Sequence, residues 1–411
     1  MFSIGWIPGV LQSFFRPLRS SFSDCQWKHF WPTVLALIAL PLPRKIIHLA
    51  KARRQGRHRT NLGAFFKKSP WDPARTLMRV VLRLFFHMEP QPGELLEVIL
   101  DDTKIAKRAK SMDGVGKLFD SSKKVYAVGH TVLLTALRFR GILLPWRWDL
   151  YLKKEFCAER AEDPDVPAFR TLTELAAASI RLTPAIPGMS VRVLFDSYYL
   201  CRKVVKAVKE MGYTFISVAQ SNRVLGIRGQ KKQVRAYGER VLRRSGKKVR
   251  LPGGRKARIA LRKGILKGVG EVLVLFSRRQ GERKVVAIVT NDLTLTAEVI
   301  LAGYSHRWPI EIAFKDQKQH LGLGDYQTRS LRGVVTHLHL VAIAHVLLIH
   351  HAVKALGAKA KKKNTVLQIQ TVQELREAIR RVLWNDVLNR LKKKVKRPAA
   401  LRYIEELHMA A

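Results

Sequence analysis

The chain has 411 residues, of which 47% are hydrophobic, so it can bury a substantial core and is expected to divide into two or three domains. This composition excludes a wholly disordered chain. Its 76 Lys and Arg residues outnumber its 31 Asp and Glu residues, which leaves a formal net charge of +45. Such an excess attracts polyanions at long range, and nucleic acid is therefore the first partner to expect.

The cysteines and the N-terminal residues indicate where the chain resides. Cys25, Cys157 and Cys201 are scattered and have no paired spacing, so neither a disulfide framework nor a structural zinc site is expected. The N-terminus has no apolar core followed by a small-residue cleavage site, which argues against a secretory signal. We therefore expect a reducing, cytoplasmic setting.

Two apolar stretches imitate membrane spans. Residues 31–43, WPTVLALIALPLP, are too short for a span and contain three prolines, so they are interpreted as a buried helix and its connector. The run Gly333–Val353 has no Asp, Glu, Lys or Arg, but it contains five histidines and is interpreted as a buried core helix. Its histidines are expected to be polar positions of that helix rather than metal ligands. No membrane partner is expected.

Residues 1–90 are predicted to be all-helical, because apolar residues recur at helical spacing in VLALIAL, KIIHLAK and LMRVVLRLFF. Within residues 51–68, five basic residues precede a predicted helix cap at Thr60. Two interpretations explain this stretch equally well: it is the surface of a helix-turn-helix, or it is a solvated basic loop between core helices. We interpret residues 1–90 as a helical DNA-binding domain. The basic residues concerned are Lys51, Arg53, Arg54, Arg57 and Arg59.

From Pro90–Gly93 onward the pattern changes to that of an α/β domain. LLEVILDD is a short apolar strand that ends in Asp101 and Asp102, and KVYAVGHTVLLTALRF reads as one or two more strands. The segment VRVLFDSYYLCRKVVKAVKEMGYTFISV then predicts strand, helix and strand, with Asp196 at the carboxyl end of the first strand. Ligand sites of open α/β sheets lie at that edge.

A basic, glycine-containing segment follows. Residues 226–267 hold 16 Lys and Arg residues against one acid, Glu239, and pieces such as VRAYGERVL and KARIALR predict an antiparallel insertion with a basic surface. EVLVLFS and KVVAIVTN predict a hairpin, which precedes a helix at about Leu295–Tyr304. The chain from Ala358 is predicted to be helical, with basic clusters at residues 359–363 and 392–397.

Four acids suggest a metal site, although each alone fits a helix cap or an ordinary ion pair. Carboxylates are hard ligands suited to Mg2+, which prefers a few acids together with water and substrate phosphate. Two such ions can activate a water or a 3′-hydroxyl and stabilise the leaving oxygen of a phosphodiester. The acids concerned are Asp101, Asp102, Asp196 and Glu311.

The stretch YSHRWPIEIAFKDQK adds partners for a phosphate. Glu311 and Lys318 are separated by about two helical turns, so both project from one face of a predicted helix. Pro309 marks a kink or the first turn of this helix, which leaves Tyr304 and Arg307 at the end of the preceding one. An arginine can grip a phosphate in a bidentate fork, and an ordinary helix-surface ion pattern is the alternative.

Three ordered motifs resemble the cut-and-paste DDE transposases of bacterial insertion sequences, in the branch marked by a Tyr-x2-Arg-x3-Glu-x6-Lys signature. Tyr304, Arg307, Glu311 and Lys318 match this signature without a gap. ILDDTK resembles the first-aspartate motif of the family, VLFDSYY resembles the second, and TNLGAFFKKSPW is similar to the segment before the catalytic domain. The resemblance covers most of residues 30–345.

The resemblance implies a ribonuclease-H-like catalytic core at residues 91–345, with a β-rich insertion at about residues 220–292, flanked by helical regions at residues 1–90 and 346–411. Its cofactor would be Mg2+, for which Mn2+ can substitute, with two ions in each active site. Glu311 would be the third metal ligand. Arg307 and Lys318 would hold phosphates of the transposon end, and Tyr304 would contact a phosphate near the cleavage site.

The first catalytic acid has two candidates. Some relatives place the aspartate directly before the threonine of this motif, which selects Asp102, and others place it two positions before, which selects Asp101. Because adjacent strand residues point to opposite faces, one of them is expected to bind metal, and Asp102 is preferred. The expected metal ligands are thus Asp102, Asp196 and Glu311. Trp308 and Trp148 are weak candidates for stacking on a displaced base, with burial in the core as the alternative.

The sequence therefore predicts a transposase that binds double-stranded DNA at terminal inverted repeats, cleaves it with divalent metal and joins the 3′-hydroxyls to target DNA. By analogy, two subunits would pair two ends, a DNA hairpin would form on the excised end, and the bacterial protein would associate with the nucleoid. One alternative is a transposase-derived DNA-binding protein that no longer cleaves. A basic RNA-binding protein is another, but it would not explain the ordered acids.

Overall fold

The described chain divides into two compact units. The computed structural model describes residues 4–394, apart from residues 42, 54–57, 109–110, 121–124 and 252–253. The first unit comprises the described residues up to Met88, Lys315–Lys361 and those from Gln368 onward, and the second comprises Glu89–Phe314 and Lys362–Leu367. The division predicted between residues 345 and 346 falls inside one continuous helix, Leu331–Ala355.

The described residues form helices and strands with the following bounds. The α-helices are α1 (Gln12–Phe15), α2 (Asp24–Ala39), α3 (Ile46–Lys51), α4 (Arg59–Lys68), α5 (Pro73–His87), α6 (Lys154–Glu159), α7 (Leu172–Arg181), α8 (Arg202–Glu210), α9 (Val234–Ser245), α10 (Ala297–Ser305), α11 (Pro309–His320), α12 (Leu331–Ala355) and α13 (Val372–Lys394). The strands are β1 (Leu95–Lys107), β2 (Gly116–Asp120), β3 (Val125–Phe139), β4 (Ile142–Tyr151), β5 (Ser190–Phe195), β6 (Thr214–Ala219), β7 (Val224–Ile227), β8 (Gln230–Gln233), β9 (Lys247–Arg250), β10 (Lys256–Leu266), β11 (Gly270–Arg279) and β12 (Val286–Thr290).

The first unit is helical, and its core is α12. This helix packs against α2, α4, α5 and α13. By length and composition it is the helix of the described residues that could cross a membrane, yet 89% of its most apolar 18-residue window is buried inside the protein. The interpretation of Gly333–Val353 as a core helix is confirmed, and residues 31–39 lie in the buried part of α2 as predicted.

Two details of the basic stretch before α4 differ from the prediction. The cap of α4 is His58, whose ring nitrogen accepts a hydrogen bond from the Thr60 N–H, so the prediction of Thr60 as the cap is wrong. Arg53 is fully buried and donates to the Lys28 carbonyl oxygen at 3.2 Å, so its guanidinium is occupied inside the helical unit. Arg54 and Arg57 lie outside the described residues.

One mixed sheet organises the second unit. Its strand order is β2-β3-β1-β5-β6-β12-β11-β10-β7-β8, with β4 paired to β3 and β9 to β10. β1 is antiparallel to β3 and parallel to β5, and β5 is parallel to β6. Because α8 connects β5 to β6, the predicted strand-helix-strand segment is confirmed, and Asp196 directly follows β5.

The strands of the basic segment pair antiparallel, as predicted, and the segment also contains one helix, α9. The β10 pairing with β11 and the β11 pairing with β12 confirm the predicted strand KARIALR and the predicted hairpin. VRAYGERVL, predicted as β-compatible, lies in α9, so that prediction is wrong. The physical reason is the spacing of the residues that α9 buries, which repeat at a helical period and include Tyr237 against the Phe276 ring. They are Val234, Tyr237, Gly238, Val241 and Leu242.

Candidate active site

Two neighbouring parallel strands bring three acids to one edge of the sheet. The register of β1 and β5 pairs Ile99 with Leu194, and Asp101 and Asp196 each lie two residues beyond that pair. β1 continues to Lys107, so Asp101 and Asp102 lie within the strand, and the prediction that the strand ends at them is wrong. Asp101 and Asp196 nevertheless lie at the same level, because both are two residues beyond the same β1–β5 pair. Asp102 is the next residue along β1.

Backbone hydrogen bonds orient Asp196. Its Oδ1 accepts from the Tyr198 N–H at 2.9 Å and from the Tyr199 N–H at 3.4 Å, as in a turn closed by an aspartate. Its carbonyl oxygen accepts from the Ser217 hydroxyl on β6 at 3.1 Å. Burial raises the pKa of Asp196, and the two backbone hydrogen bonds oppose this rise.

Asp101 is the most strongly perturbed of the acids. Burial raises its pKa to about 7, with further upward contributions from Asp196 and Asp102, and the positive charge of Arg307 opposes the rise. Three carboxyl groups thus share a partly buried edge of a sheet. Such an arrangement is costly unless cations neutralise it, and strongly perturbed acids of this kind are typical of functional sites.

Arg307 bridges two of the predicted site residues. It lies in the turn between α10 and α11, where its Nη1 donates to Asp101 Oδ2 at 2.5 Å and its Nη2 donates to Glu311 Oε1 at 2.5 Å. Its side chain is 14% exposed. Pro309 opens α11, as predicted, and Glu311 lies in the first turn of that helix. The guanidinium therefore joins the first strand of the sheet to the helix that carries the third acid.

Asp102 has a different partner. Its Oδ1 accepts a hydrogen bond from the Tyr199 hydroxyl at 2.8 Å, and Tyr199 is fully buried. Burial raises the pKa of Tyr199, and the nearby Asp102 carboxylate raises it further. The contact with Arg307 thus places Asp101, rather than the preferred Asp102, beside Glu311. Sequence alone could not distinguish the two, because the choice depends on which face of β1 meets the α10–α11 turn.

The remaining predicted residues are distributed around this centre. Tyr304 is in the last turn of α10, with the Arg307 guanidinium 6.0 Å from its ring centroid. Lys318 is on α11 two turns beyond Glu311, among the residues that group with the first unit. Trp148 is 2% exposed and packs on Phe314, so it belongs to the core, whereas Trp308 is 61% exposed.

A buried polar contact next to Arg307 was not predicted from the sequence. Glu97 of β1 is 2% exposed and lies within 2.9 Å of the His306 Nδ1, and Arg138 of β3 donates to its Oε2 at 2.5 Å. Glu97 interrupts the apolar strand LLEVILDD four residues before Asp101. The presence of an acid, Glu97, within an otherwise apolar predicted strand was the sequence signal that could have indicated this contact.

The carboxylates provide hard oxygen donors that suit Mg2+ or Mn2+. Within the described ranges, no three His, Cys, Asp or Glu side chains are grouped as ligands of a single ion. The acids nonetheless fit this kind of ion, since Mg2+ is usually held by one or two carboxylates together with substrate phosphates and water. Asp101 and Asp196 supply such a pair, and Arg307 holds Glu311 next to Asp101.

Comparison with known protein families indicates the class of protein that carries this kind of site. Residues 161–347 match the family described as the transposase DDE domain. This match supports a transposase of the DDE class, and the mixed sheet with its helices is compatible with a ribonuclease-H-like transposase domain. Such enzymes act on DNA and generally use divalent metal ions. No curated protein matches the chain.

Proposed function

We propose that this protein is the transposase of a bacterial insertion sequence. It binds terminal inverted repeats, cleaves DNA at the ends of the element and joins the freed 3′-hydroxyls to target DNA, in cut-and-paste transposition. The observation that carries the proposal is the bridge from Asp101 through Arg307 to Glu311, next to Asp196. This bridge unites acids from two distant chain segments at the edge of the sheet where ligands bind.

The extent of the family match supports the later motifs directly. Residues 161–347 include Asp196, Tyr304, Arg307, Glu311 and Lys318, which together form the second and third motifs. The first acid lies outside the matched residues, so its assignment rests on the pairing of β1 with β5 and on the contact with Arg307.

The catalytic core of the proposal is the ribonuclease-H-like part of the sheet. Its strand order is β4-β3-β1-β5-β6, in which β3 and β4 are antiparallel to their neighbours and β1, β5 and β6 are mutually parallel. The segment at about residues 220–292 is its basic insertion. Residues 1–90 supply a helical DNA-binding region, residues 91–345 the catalytic region, and residues 346–411 a basic region predicted to be helical, of which residues 395–411 lie outside the described residues.

The site residues divide into two roles. Asp101, Asp196 and Glu311 are the proposed metal ligands, with Asp102 beside them on β1. Mg2+ or Mn2+ bound there would activate the attacking water or 3′-hydroxyl and neutralise charge at the phosphate. Three further residues would contact phosphates of the transposon end. They are Tyr304, Arg307 and Lys318.

The acids alone do not bind DNA, so the positive residues must provide the affinity. With a net charge of +45, contacts to phosphates supply a salt-dependent attraction for both the transposon ends and the target. Two subunits would hold two ends together before cleavage, and a DNA hairpin on the excised end is the expected intermediate. In a bacterial cytoplasm, this charge would also associate the protein with the nucleoid.

The test is strand cleavage of a labelled duplex that spans the end of the element and its flank. Wild type, Glu311→Gln and the control Glu210→Gln are compared with Mg2+, with Mn2+ and with a chelator. Glu210 is a suitable control because it is an exposed acid that pairs with Arg181 at the surface. We expect metal-dependent nicking at the boundary in wild type and control. Glu311→Gln should bind the duplex but not cut it.

A failure of this experiment would be informative. If wild type binds the end and cuts with neither metal, catalysis is refuted and the protein is a transposase-derived DNA-binding protein. If cleavage persists in Glu311→Gln at the wild-type rate, the role of Glu311 is refuted while the transposase assignment stands. If duplex RNA binds more tightly than the DNA end and no cleavage occurs, the RNA-binding alternative replaces both.

A further inference from the structure

Beyond the acids and the phosphate contacts, the strand β1 has a second attachment to the turn that carries Arg307. Glu97 and Asp101 are four residues apart on β1, so their side chains lie on the same face of the sheet. Asp101 accepts a hydrogen bond from Arg307. Glu97 lies 2.9 Å from the ring nitrogen of His306, which directly precedes Arg307 in the chain. One strand therefore contacts two successive residues of the same turn.

We propose that Glu97 and His306 form a positioning pair that fixes the α10–α11 turn over β1 and thereby holds Arg307, and through Arg307 also Glu311, in place. This inference rests on the proposed function for its catalytic consequence. Neither residue needs to touch DNA or metal, since both act through the location of the turn.

The surroundings of Glu97 make it a rigid anchor. Its side chain is 3% exposed, and both carboxylate oxygens are engaged, Oε2 by Arg138 at 2.5 Å and both by the His306 ring within 3.0 Å. A buried carboxylate that loses these partners would be left uncompensated, so the contact strongly favours one position of the turn.

The turn itself is tight and short, which allows one contact to set its direction. His306 is the residue that ends α10, and its N–H donates to the Gly303 and Tyr304 carbonyl oxygens. The Arg307 N–H donates to the Tyr304 carbonyl at 3.1 Å, and the Glu311 N–H donates to the Trp308 carbonyl at 3.0 Å. A displacement of His306 is therefore transmitted to Arg307 and to the first turn of α11.

Close packing of α10 on the sheet limits how the turn can adapt. A Cβ atom placed on Gly303 would lie 2.6 Å from Ile216 Cδ1 of β6, so the glycine permits a closer approach than alanine would. Since α10 is held on the sheet at this point and β1 holds His306, the remaining freedom of the turn is small. Reacting groups displaced by about 1 Å can lose roughly 100-fold in rate.

The first arm of the test needs no catalysis. Amide hydrogen exchange is measured for peptides that cover residues 297–320 in wild type, His306→Ala and the control Glu210→Gln. We expect faster exchange of the turn in His306→Ala and no change in the control. Unchanged protection of the turn would overturn the proposal even if the wild type proved unable to cleave DNA. His306 is the better target, because Glu97→Gln leaves Arg138 without a charged partner and can impair folding.

The second arm is a double-mutant cycle, in which the rate of single-turnover cleavage is measured at saturating protein and metal. His306→Ala is expected to slow cleavage by about 10-fold to 100-fold while the DNA dissociation constant changes less than about twofold. Because Arg307→Lys removes the guanidinium that His306→Ala would displace, the combined variant should be no slower than Arg307→Lys alone. Effects that multiply instead would mean that His306 acts independently of Arg307 and would overturn the positioning role.

Discussion

Replacing Glu94 by glutamine tests the ion pair that supports the start of the site-bearing strand. Glu94 immediately precedes β1, and its carboxylate accepts from Arg140 Nε at 2.8 Å and Nη2 at 2.6 Å. It also accepts the Gln91 N–H at 2.8 Å and the Asn364 N–H at 3.0 Å. The side chains of Glu94 and Arg140 are 3% and 2% exposed, so solvent cannot replace these contacts.

The expected loss in the free energy of unfolding follows from the positive charge that remains buried on Arg140. Glutamine retains one acceptor oxygen but no charge, so the buried Arg140 guanidinium loses the charge of the Glu94 carboxylate. Removing one partner of a buried pair costs about 3–5 kcal/mol. Hydrogen bonding and the nearby guanidinium hold the pKa of Glu94 below its usual range, although burial opposes this. The pair therefore contributes fully to the stability of the folded protein above about pH 4.5. This contribution is lost as the pH falls through the lowered pKa that Glu94 has in the folded protein.

The assay is urea denaturation followed by circular dichroism at pH 7, with the transition of the second unit analysed separately because two units need not unfold together. Glu94→Gln is compared with Glu210→Gln, which removes one partner of an exposed ion pair and should leave the stability nearly unchanged. A loss below about 1 kcal/mol in Glu94→Gln would contradict the cost assigned to the buried charge. It would mean that the Arg140 guanidinium reaches water or another partner once the carboxylate is gone.

Three further results are expected. Tyr199→Phe removes the hydroxyl that donates to Asp102, and single-turnover cleavage should slow about tenfold at unchanged DNA affinity, whereas an unchanged rate would exclude Asp102 from the site. Burial lowers the pKa of His345 to about 4 from 6.5, so the first unit should lose about 3 kcal/mol as the pH falls from 6.5 to 4, and thermal denaturation of His345→Leu should show a weaker dependence on pH. Gly238→Ala places a Cβ atom 2.5 Å from the Phe276 ring, so its melting temperature should fall, and an unchanged temperature would mean that α9 shifts freely on the sheet.

Several elements followed from the sequence because their signals are local. The helix α12 is apolar on all sides, and the segment from β5 through α8 to β6 changes its apolar spacing at the expected residues. These patterns depend on neighbours within a few residues, so Asp196 could be placed at the end of a strand before any fold was known. In contrast, the sequence signal of α9 is weak, because the helix has few apolar residues and many basic ones, and the segment was therefore predicted as strand.

The choice between neighbouring acids required the tertiary structure. Asp101 and Asp102 are equivalent as sequence, and the residue that meets Arg307 is decided by the register of β1 with β5 and by the packing of α10 on the sheet. The contact joins residues separated by 206 positions, and the one between Glu97 and His306 joins residues separated by 209.

Local elements, the order of the acidic motifs and the positive charge that favours a polyanionic partner are all encoded in the order of residues along the chain. The contacts of Arg307 with Asp101 and Glu311, and the hydrogen bond from the Tyr199 hydroxyl to Asp102, depend instead on how the chain folds in three dimensions. The physical reason is that apolar periodicity acts over a few residues along the chain. Partners of buried charges are instead selected by which side chains the packed sheet and helices bring within hydrogen-bonding distance.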